Sequence, residues 1–370
     1  MAKRIKILNI AGARPNFMKI APLIEEMKKR KGINYVLVHT GQHYDFELSK
    51  IFFSELKIPK PDYNLGVGSG SHTWQIAKIM ERIEPIFKKE KPDLVVVVGD
   101  VNSTLAGALT ALKLNIPLVH IEAGLRSFNK GMPEESNRIL TDYISDYLFA
   151  TEASAVKNLL KEGINKKKIF LVGNIMIDTL LKYKNKALKI PILKRFNLQK
   201  QNYTVLTLHR PENVDDKMTL QGILEAFEKI QRNIKIIWSI HPRTKKQLRK
   251  FGFLGKINKM ENLIITSPLG YLEMLSLIQQ SKFVLTDSGG IQEETTALGI
   301  PCLTLREETE RPITAQIGTN KVIGVKKEVI IKESLGIINN PPKKGKIPKY
   351  WDGKTSKRII KILDKIKNIR

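Results

Sequence analysis

Cysteine is nearly missing from this 370-residue chain; Cys302 is the only one. An intrachain disulfide and a cysteine-based zinc cluster are therefore excluded. Long apolar runs are missing too. The longest, "DLVVVVGD", falls well short of the ~18 residues a membrane-spanning helix needs, and reads as a buried strand. Met-Ala-Lys-Arg runs straight into the strand-like "IKILNIAG" with no small-residue cleavage site, so no signal peptide is expected. Together these absences point to a soluble cytoplasmic chain without membrane insertion. Acidic residues are few beside basic ones, 36 against 63, and the net charge is +27. That balance suits acidic partners such as nucleic acid, anionic membrane or phosphorylated metabolites. The lysines are scattered, however, as "KKRK" at 28–31, "KKK" at 166–168, "KKQLRK" at 245–250 and "KKGK" at 343–346. A nucleic-acid reader concentrates charge on one face or arm, and no recognised motif of that kind is present. The basic residues read as a solvated surface, with no nucleic-acid partner.

What is present is a repeated alternation. Hydrophobic residues make up 42% of the chain, as in a globular protein, and its length calls for two domains rather than one core. In the first half, strands are expected at Ile5–Ala11, Tyr35–Thr40, Leu94–Gly99, Leu118–Glu122, Tyr147–Ala150 and Ile169–Val172. Helical patterns lie between them at Met18–Lys29, Trp74–Lys88, Ser103–Lys113 and Glu135–Ser145. The strands lack polar alternation, as in a parallel sheet covered on both faces. After a weakly patterned, lysine-rich stretch at 181–202, the alternation restarts. Strands are expected at Thr204–His209, Ile234–Ile240, Leu263–Thr266, Phe283–Thr286, Cys302–Leu305 and Val322–Gly324. The fold class is α/β, with two Rossmann-like, doubly wound domains and ligand in an interdomain cleft at the strands' carboxyl ends. The expected domains are 1–173, completed by an amphipathic C-terminal helix at 354–370, and 174–353. Gly173 in "VGNIMIDTLL" is the expected hinge point.

Chemistry should then follow the strands. "ILNIAGARPNFMK" ends a strand at Gly12 and opens a helix, so Arg14 and Lys19 can reach an anion at its N-terminus or simply stand in solvent. Asp100 follows "VVVV" directly. Glu122 ends "LVHIE", with Arg126 close behind. Two acids at neighbouring strand ends share a cleft, where repulsion raises one pKa and suits general acid–base work. Glu134 and Glu135 open a helix, either as dipole partners or as site acids. His209 in "TLHRPEN" ends the second half's first strand, with Arg210 and Glu212 beside it. His241 in "SIHPR" ends the next and is the weaker candidate. His39 and His43 make a poor metal pair because Gly41 interrupts their helical spacing. "NLGVGSGSH" imitates a nucleotide loop, but it follows no convincing strand and reads as a loop. In "LTDSGGIQEE" no lysine follows the glycines. Ser288, Gly289 and Gly290 instead offer backbone amides and a helix dipole to a diphosphate, with Glu294 available to ribose hydroxyls. "LREETERPI" supplies Arg311 as a further anion partner.

Taken in order, "GARP", "VVVVGDVNSTLA", "HIEAGLRS", "MPEESNR", "LVGNIMIDTL", "TLHRPEN", "LTDSGGIQEE" and "TERPITAQIGTN" resemble the non-hydrolysing UDP-N-acetylglucosamine 2-epimerases over nearly the whole chain. The resemblance implies a glycosyltransferase-B-like fold, a homodimer, and interconversion of UDP-GlcNAc and UDP-ManNAc. It implies elimination of UDP to a bound 2-acetamidoglucal and re-addition after C2 is reprotonated, with neither metal nor NAD. Residue by residue, it places Asp100, Glu122 and Glu134 among the catalytic acids. His209 stabilises the departing diphosphate. Arg14, Lys19, Ser288, Gly289, Gly290, Glu294 and Arg311 hold UDP. Gln42, His43, Glu134, Arg210 and His241 match an allosteric UDP-GlcNAc site. Three departures stand out: Asp45 replaces a glutamine, an arginine is lost within "GVGSGSH", and Asn16 stands where relatives usually carry glutamate. A hydrolysing epimerase and a UDP-sugar glycosyltransferase are the rival readings.

Overall fold

The structure, a computed structural model, describes residues 4–42, 53–340, 342 and 344–367. The chain forms two compact units. One comprises Met1–Lys182 with Lys349–Arg370, and the other Tyr183–Pro348. In the first unit seven strands, β1 (Ile5–Ala11), β2 (Ile33–His39), β3 (Tyr63–Asn64), β4 (Leu94–Val98), β5 (Leu118–Ala123), β6 (Tyr147–Ala150) and β7 (Ile169–Leu171), lie in the order β3-β2-β1-β4-β5-β6-β7. All neighbours are parallel. The order reverses direction between β1 and β4, which is where a doubly wound sheet opens a crevice at its carboxyl edge. The β-branched run of β4 is buried throughout, because helices cover both faces.

The second unit repeats the plan with β8 (Tyr203–Thr207), β9 (Lys235–Ser239), β10 (Leu263–Thr266), β11 (Phe283–Thr286), β12 (Cys302–Thr304) and β13 (Asn320–Val322). Their order is β10-β9-β8-β11-β12-β13, again parallel. Its core gathers Trp238, Phe227, Phe283, Leu206 and Leu285 on one side of the sheet. Among the described residues no helix is long and apolar enough to cross a membrane.

Two features depart from the sequence-based expectation. The short edge strand β3 was not anticipated. The stretch beginning at 181 is partly helical, continuing the helix Ile175–Ala187 before a short turn at Ile192–Arg195. Gly173 lies inside the first unit, with φ 96° and the Tyr350 carbonyl packed so closely that a Cβ would meet it at 2.2 Å. The C-terminal helix Thr355–Lys367 packs along the helix Arg14–Lys28. Asp178 holds its start, accepting from the Thr355 amide at 3.0 Å and from the Ser356 amide and hydroxyl, each at 2.7 Å.

Candidate active site

In the first unit, the carboxyl ends of β1, β4 and β5 bring polar side chains together. Asn16, in the first turn of the helix Arg14–Lys28, accepts from the Gly12 and Ala13 amides at 3.0 Å each and donates to the Val98 carbonyl at 2.9 Å. It therefore ties the end of β1 to the end of β4. A glutamate here would keep the amides but lack the N–H that reaches Val98. One turn on, Lys19 is buried and paired with the Glu122 carboxylate, close above Gly99. Glu122 has φ 77°, and the register with β6 slips between Ile121 and Ala123. A left-handed, non-glycine residue at a bulge stores about 1–3 kcal/mol of strain and is characteristic of functional sites.

Asp100 follows β4 with its carboxylate partly open to solvent. Arg138 Nη1 donates to its Oδ2 at 2.8 Å, and Asn137 donates to its carbonyl at 2.9 Å. The two acids opening the helix Pro133–Ile144 divide in role. Glu135 is buried, accepting from the Ser127 and Phe128 amides, both at 2.9 Å, and from Arg138 at 2.7 Å. Burial pushes its carboxyl up, yet those amides and Arg138 hold it below the usual carboxylate range. Glu135 thus anchors Arg138, which in turn orients Asp100. Glu134 is half-buried in the first turn. Gln42 is buried, and its Oε1 accepts from the Ser103 amide at 3.1 Å and hydroxyl at 2.7 Å at the start of the helix Asn102–Lys113. His39 is a core residue, its Nδ1 3.1 Å from the Ala11 carbonyl and its ring against Phe17 and Phe53. The Arg14 side chain, His43 and Asp45 lie outside the described residues.

In the second unit, the register of β8 beside β11 sets His209 next to Asp287. His209 Nδ1 lies 2.8 Å from Asp287 Oδ1, while Oδ2 accepts from the His209 and Arg210 amides at 2.7 Å each. Burial pushes the Asp287 carboxyl up, but the charge and hydrogen bonds of His209, with the Arg210 amide, hold it below its ordinary value. Only the Nε2 edge of His209 remains for a ligand, and the ring is 37% exposed. The His241 ring lies 5.5 Å away, its Nδ1 accepting the Arg243 amide at 3.2 Å.

Ser288 precedes the helix Gly289–Leu298, whose start is not capped by the serine side chain. Gly289 has a second reason to be glycine. A Cβ there would meet Glu310 Oε1 at 2.5 Å. Burial pushes Glu310 up, but Arg311, Arg306 and Arg210 bring it down to about 2. Arg306 donates to it at 2.7 Å. Arg311 is buried against Glu293, with Nε 2.6 Å from Oε1. Glu294 is raised to about 7 by burial, against a weaker pull from the Tyr271 hydroxyl. Sequence reasoning missed Asp287, Glu293, Arg306 and Glu310 as working residues. Asp287 alone carried a signal, as an acid ending a strand.

In the first unit two acids at the ends of adjacent strands suit acid–base chemistry, and in the second an acid-backed histidine and a glycine turn at a helix start suit an anion. The family model for UDP-N-acetylglucosamine 2-epimerase matches residues 25–364. A UDP-N-acetylglucosamine 2-epimerase of Methanocaldococcus jannaschii is 47% identical over 364 residues, covering 97% of this chain and 99% of that protein. A UDP-2,3-diacetamido-2,3-dideoxy-D-glucuronate 2-epimerase of Pseudomonas aeruginosa is 42% identical over 367 residues, covering 98% and 100%. The crystal structure of the Methanocaldococcus jannaschii UDP-GlcNAc 2-epimerase in complex with UDP-GlcNAc and UDP superposes with a TM-score of 0.91 at 47% identity, covering 97% of this chain and 99% of that one. The fold is glycosyltransferase-B-like, as in those neighbours.

Proposed function

The chain belongs to the UDP-N-acetylglucosamine 2-epimerase family, and from that premise we propose that it interconverts UDP-GlcNAc and UDP-ManNAc without net hydrolysis. The C2 proton is not acidic, so the step is an elimination. A carboxylate takes the C2 proton, the C1–oxygen bond to UDP breaks, and 2-acetamidoglucal stays bound. Reprotonation at C2 from the other face and return of UDP to C1 give the epimer. The observation that carries the reading is the pair Asp100 and Glu122, set at the ends of adjacent strands, with Lys19 on Glu122 and Arg138 on Asp100. Two acids in distinct environments suit removal and return of a proton on opposite faces.

In the first unit, Asp100, Glu122 and Glu134 are assigned the proton chemistry, and Arg14 and Lys19 are assigned to the diphosphate. In the second, His209 stabilises the departing diphosphate, with Asp287 behind it. Ser288, Gly289, Gly290, Glu294 and Arg311 hold UDP. Activation by a second UDP-GlcNAc is part of the same reading; UDP-ManNAc kinetics indifferent to added UDP-GlcNAc would count against it. So is a homodimer, supported by the exposed Ile139, Leu140 and Tyr143 on one helix face and measurable by analytical ultracentrifugation.

The relative that acts on a diacetamido glucuronate makes the sugar a question for the assay. Purified protein is incubated with each UDP-sugar, and products are separated by anion-exchange chromatography. UDP-ManNAc in equilibrium with UDP-GlcNAc supports the proposal. Free ManNAc with UDP would identify a hydrolysing enzyme instead. Turnover confined to the diacetamido glucuronate would keep the reaction and replace the sugar.

A further inference from the structure

The turn that carries Asp100 extends past the last paired residues of its sheet. Between β4 and β5 the register ends at Val98 and Ile121. Beyond it the Gly99 amide still donates to the Ile121 carbonyl at 3.0 Å. The Gly99 carbonyl is taken by a side chain of the same neighbouring strand. His120 Nε2 lies 2.9 Å from that oxygen. A carbonyl only accepts, so Nε2 bears the hydrogen and donates. Nδ1 lies 2.6 Å from Asp142 Oδ1. Asp142 is itself fixed by the Gly124 amide at 3.0 Å and by Arg126 Nη2 at 2.7 Å. The ring is completely buried.

His120 therefore connects three features of the site. It sits two residues before Glu122 on the same strand. It grips the peptide immediately before Asp100. It is held by the helix Pro133–Ile144, which also supplies Arg138 to the Asp100 carboxylate and Asn137 to the Asp100 carbonyl. A histidine serving only as core filler would not need both ring nitrogens committed to fixed polar partners.

We infer that His120 is a positioning residue of the reaction. Its Nε2 bond to Gly99 fixes the turn that aims the Asp100 carboxylate beside Glu122, and Asp142 fixes the ring. The inference rests on the epimerase reading given above. Two substitutions separate its parts. The amide nitrogen of asparagine falls near the place of Nδ1, and that of glutamine near the place of Nε2. His120→Asn therefore keeps the Asp142 contact and releases Gly99, whereas His120→Gln keeps Gly99 and releases Asp142.

The test measures kcat and KM for UDP-GlcNAc epimerisation, UDP affinity by calorimetry and the unfolding midpoint, for wild type and both variants. An ångström-scale misplacement of a reacting group costs about 10²-fold, so kcat of His120→Asn should fall by about that factor with KM changed less than ~3-fold. His120→Gln should keep kcat within ~5-fold of wild type, even where its unfolding midpoint drops as far. Equal losses of kcat in both variants, tracking their stability, would overturn the inference, as would normal turnover by His120→Asn. Lack of turnover by the wild type would instead remove the functional reading beneath it.

Discussion

Replacing Asp287 by asparagine separates the two tasks of its carboxylate. Oδ2 accepts the His209 and Arg210 amides at 2.7 Å each, and Oδ1 faces His209 Nδ1 at 2.8 Å. An asparagine oxygen can keep the two amides, but its nitrogen then meets Nδ1 as a donor. Nδ1 must become an acceptor, and an imidazolium at His209 loses its counter-charge. A hydrogen bond to a charged group contributes about 1.5–3 kcal/mol. With a factor of ten for about 1.36 kcal/mol, kcat should fall roughly 10- to 150-fold. The 37% exposure of His209 screens the pair and favours the smaller end of that range. Because the amides are retained, the variant should fold and bind UDP within ~3-fold of wild type. Since the folded Asp287 carboxyl is held low, its stabilisation is complete above the unfolded value near ~3.9 and lost as pH falls through the folded value. The variant should therefore trail wild type in stability at neutral pH and converge with it in acid. Steady-state kinetics and calorimetry on the folded variant decide the matter. Unchanged kcat with intact UDP binding would refute the assignment of Asp287 as the group behind His209.

Asp100→Asn should lower turnover by about 10²–10⁴-fold while UDP affinity largely survives; near-normal kcat would remove Asp100 from the mechanism. Glu294→Gln should weaken UDP binding, read by calorimetry. Because burial raises Glu294 to about 7, its stabilising contribution is present below ~4.3 and lost as pH rises through 7. The ligand-free variant should therefore gain in unfolding midpoint over wild type between pH 5 and 8, and a parallel pair of melting curves would contradict this. Asp178→Ala removes the cap of the C-terminal helix and should cost about 1–2 kcal/mol of stability in denaturant titration, leaving kcat unchanged.

The strands were legible because most are short runs of β-branched, leucine or aromatic residues between turn residues, and parallel burial leaves few other readings of "DLVVVVGD". The two-residue β3 has too little sequence to show a period. The helix Ile175–Ala187 is not legible in the sequence, because lysines on its solvent side blur the pattern after residue 181. Asp100, Glu122 and His209 were visible as polar residues ending strands. Their partners were not. Asp287 becomes the companion of His209 only through the register of β8 and β11, and His120 in "LVHIEA" looks like core until β4 lies beside it. Lys19 and Arg311 read in the sequence as anion partners, and their pairing with the carboxylates of Glu122 and Glu293 is not visible there. Sequence spacing names the charged residues, whereas long-range pairing decides which carboxylate each one meets.

The central claim is that the C2 proton leaves and returns while UDP departs and comes back. Proton NMR of UDP-GlcNAc with the purified protein in deuterium oxide follows that proton directly. The account requires UDP-ManNAc carrying deuterium at C2, with UDP-GlcNAc deuterated at the same carbon as equilibrium is reached. UDP-ManNAc that keeps its original proton at C2, or free ManNAc accumulating with UDP, would contradict it.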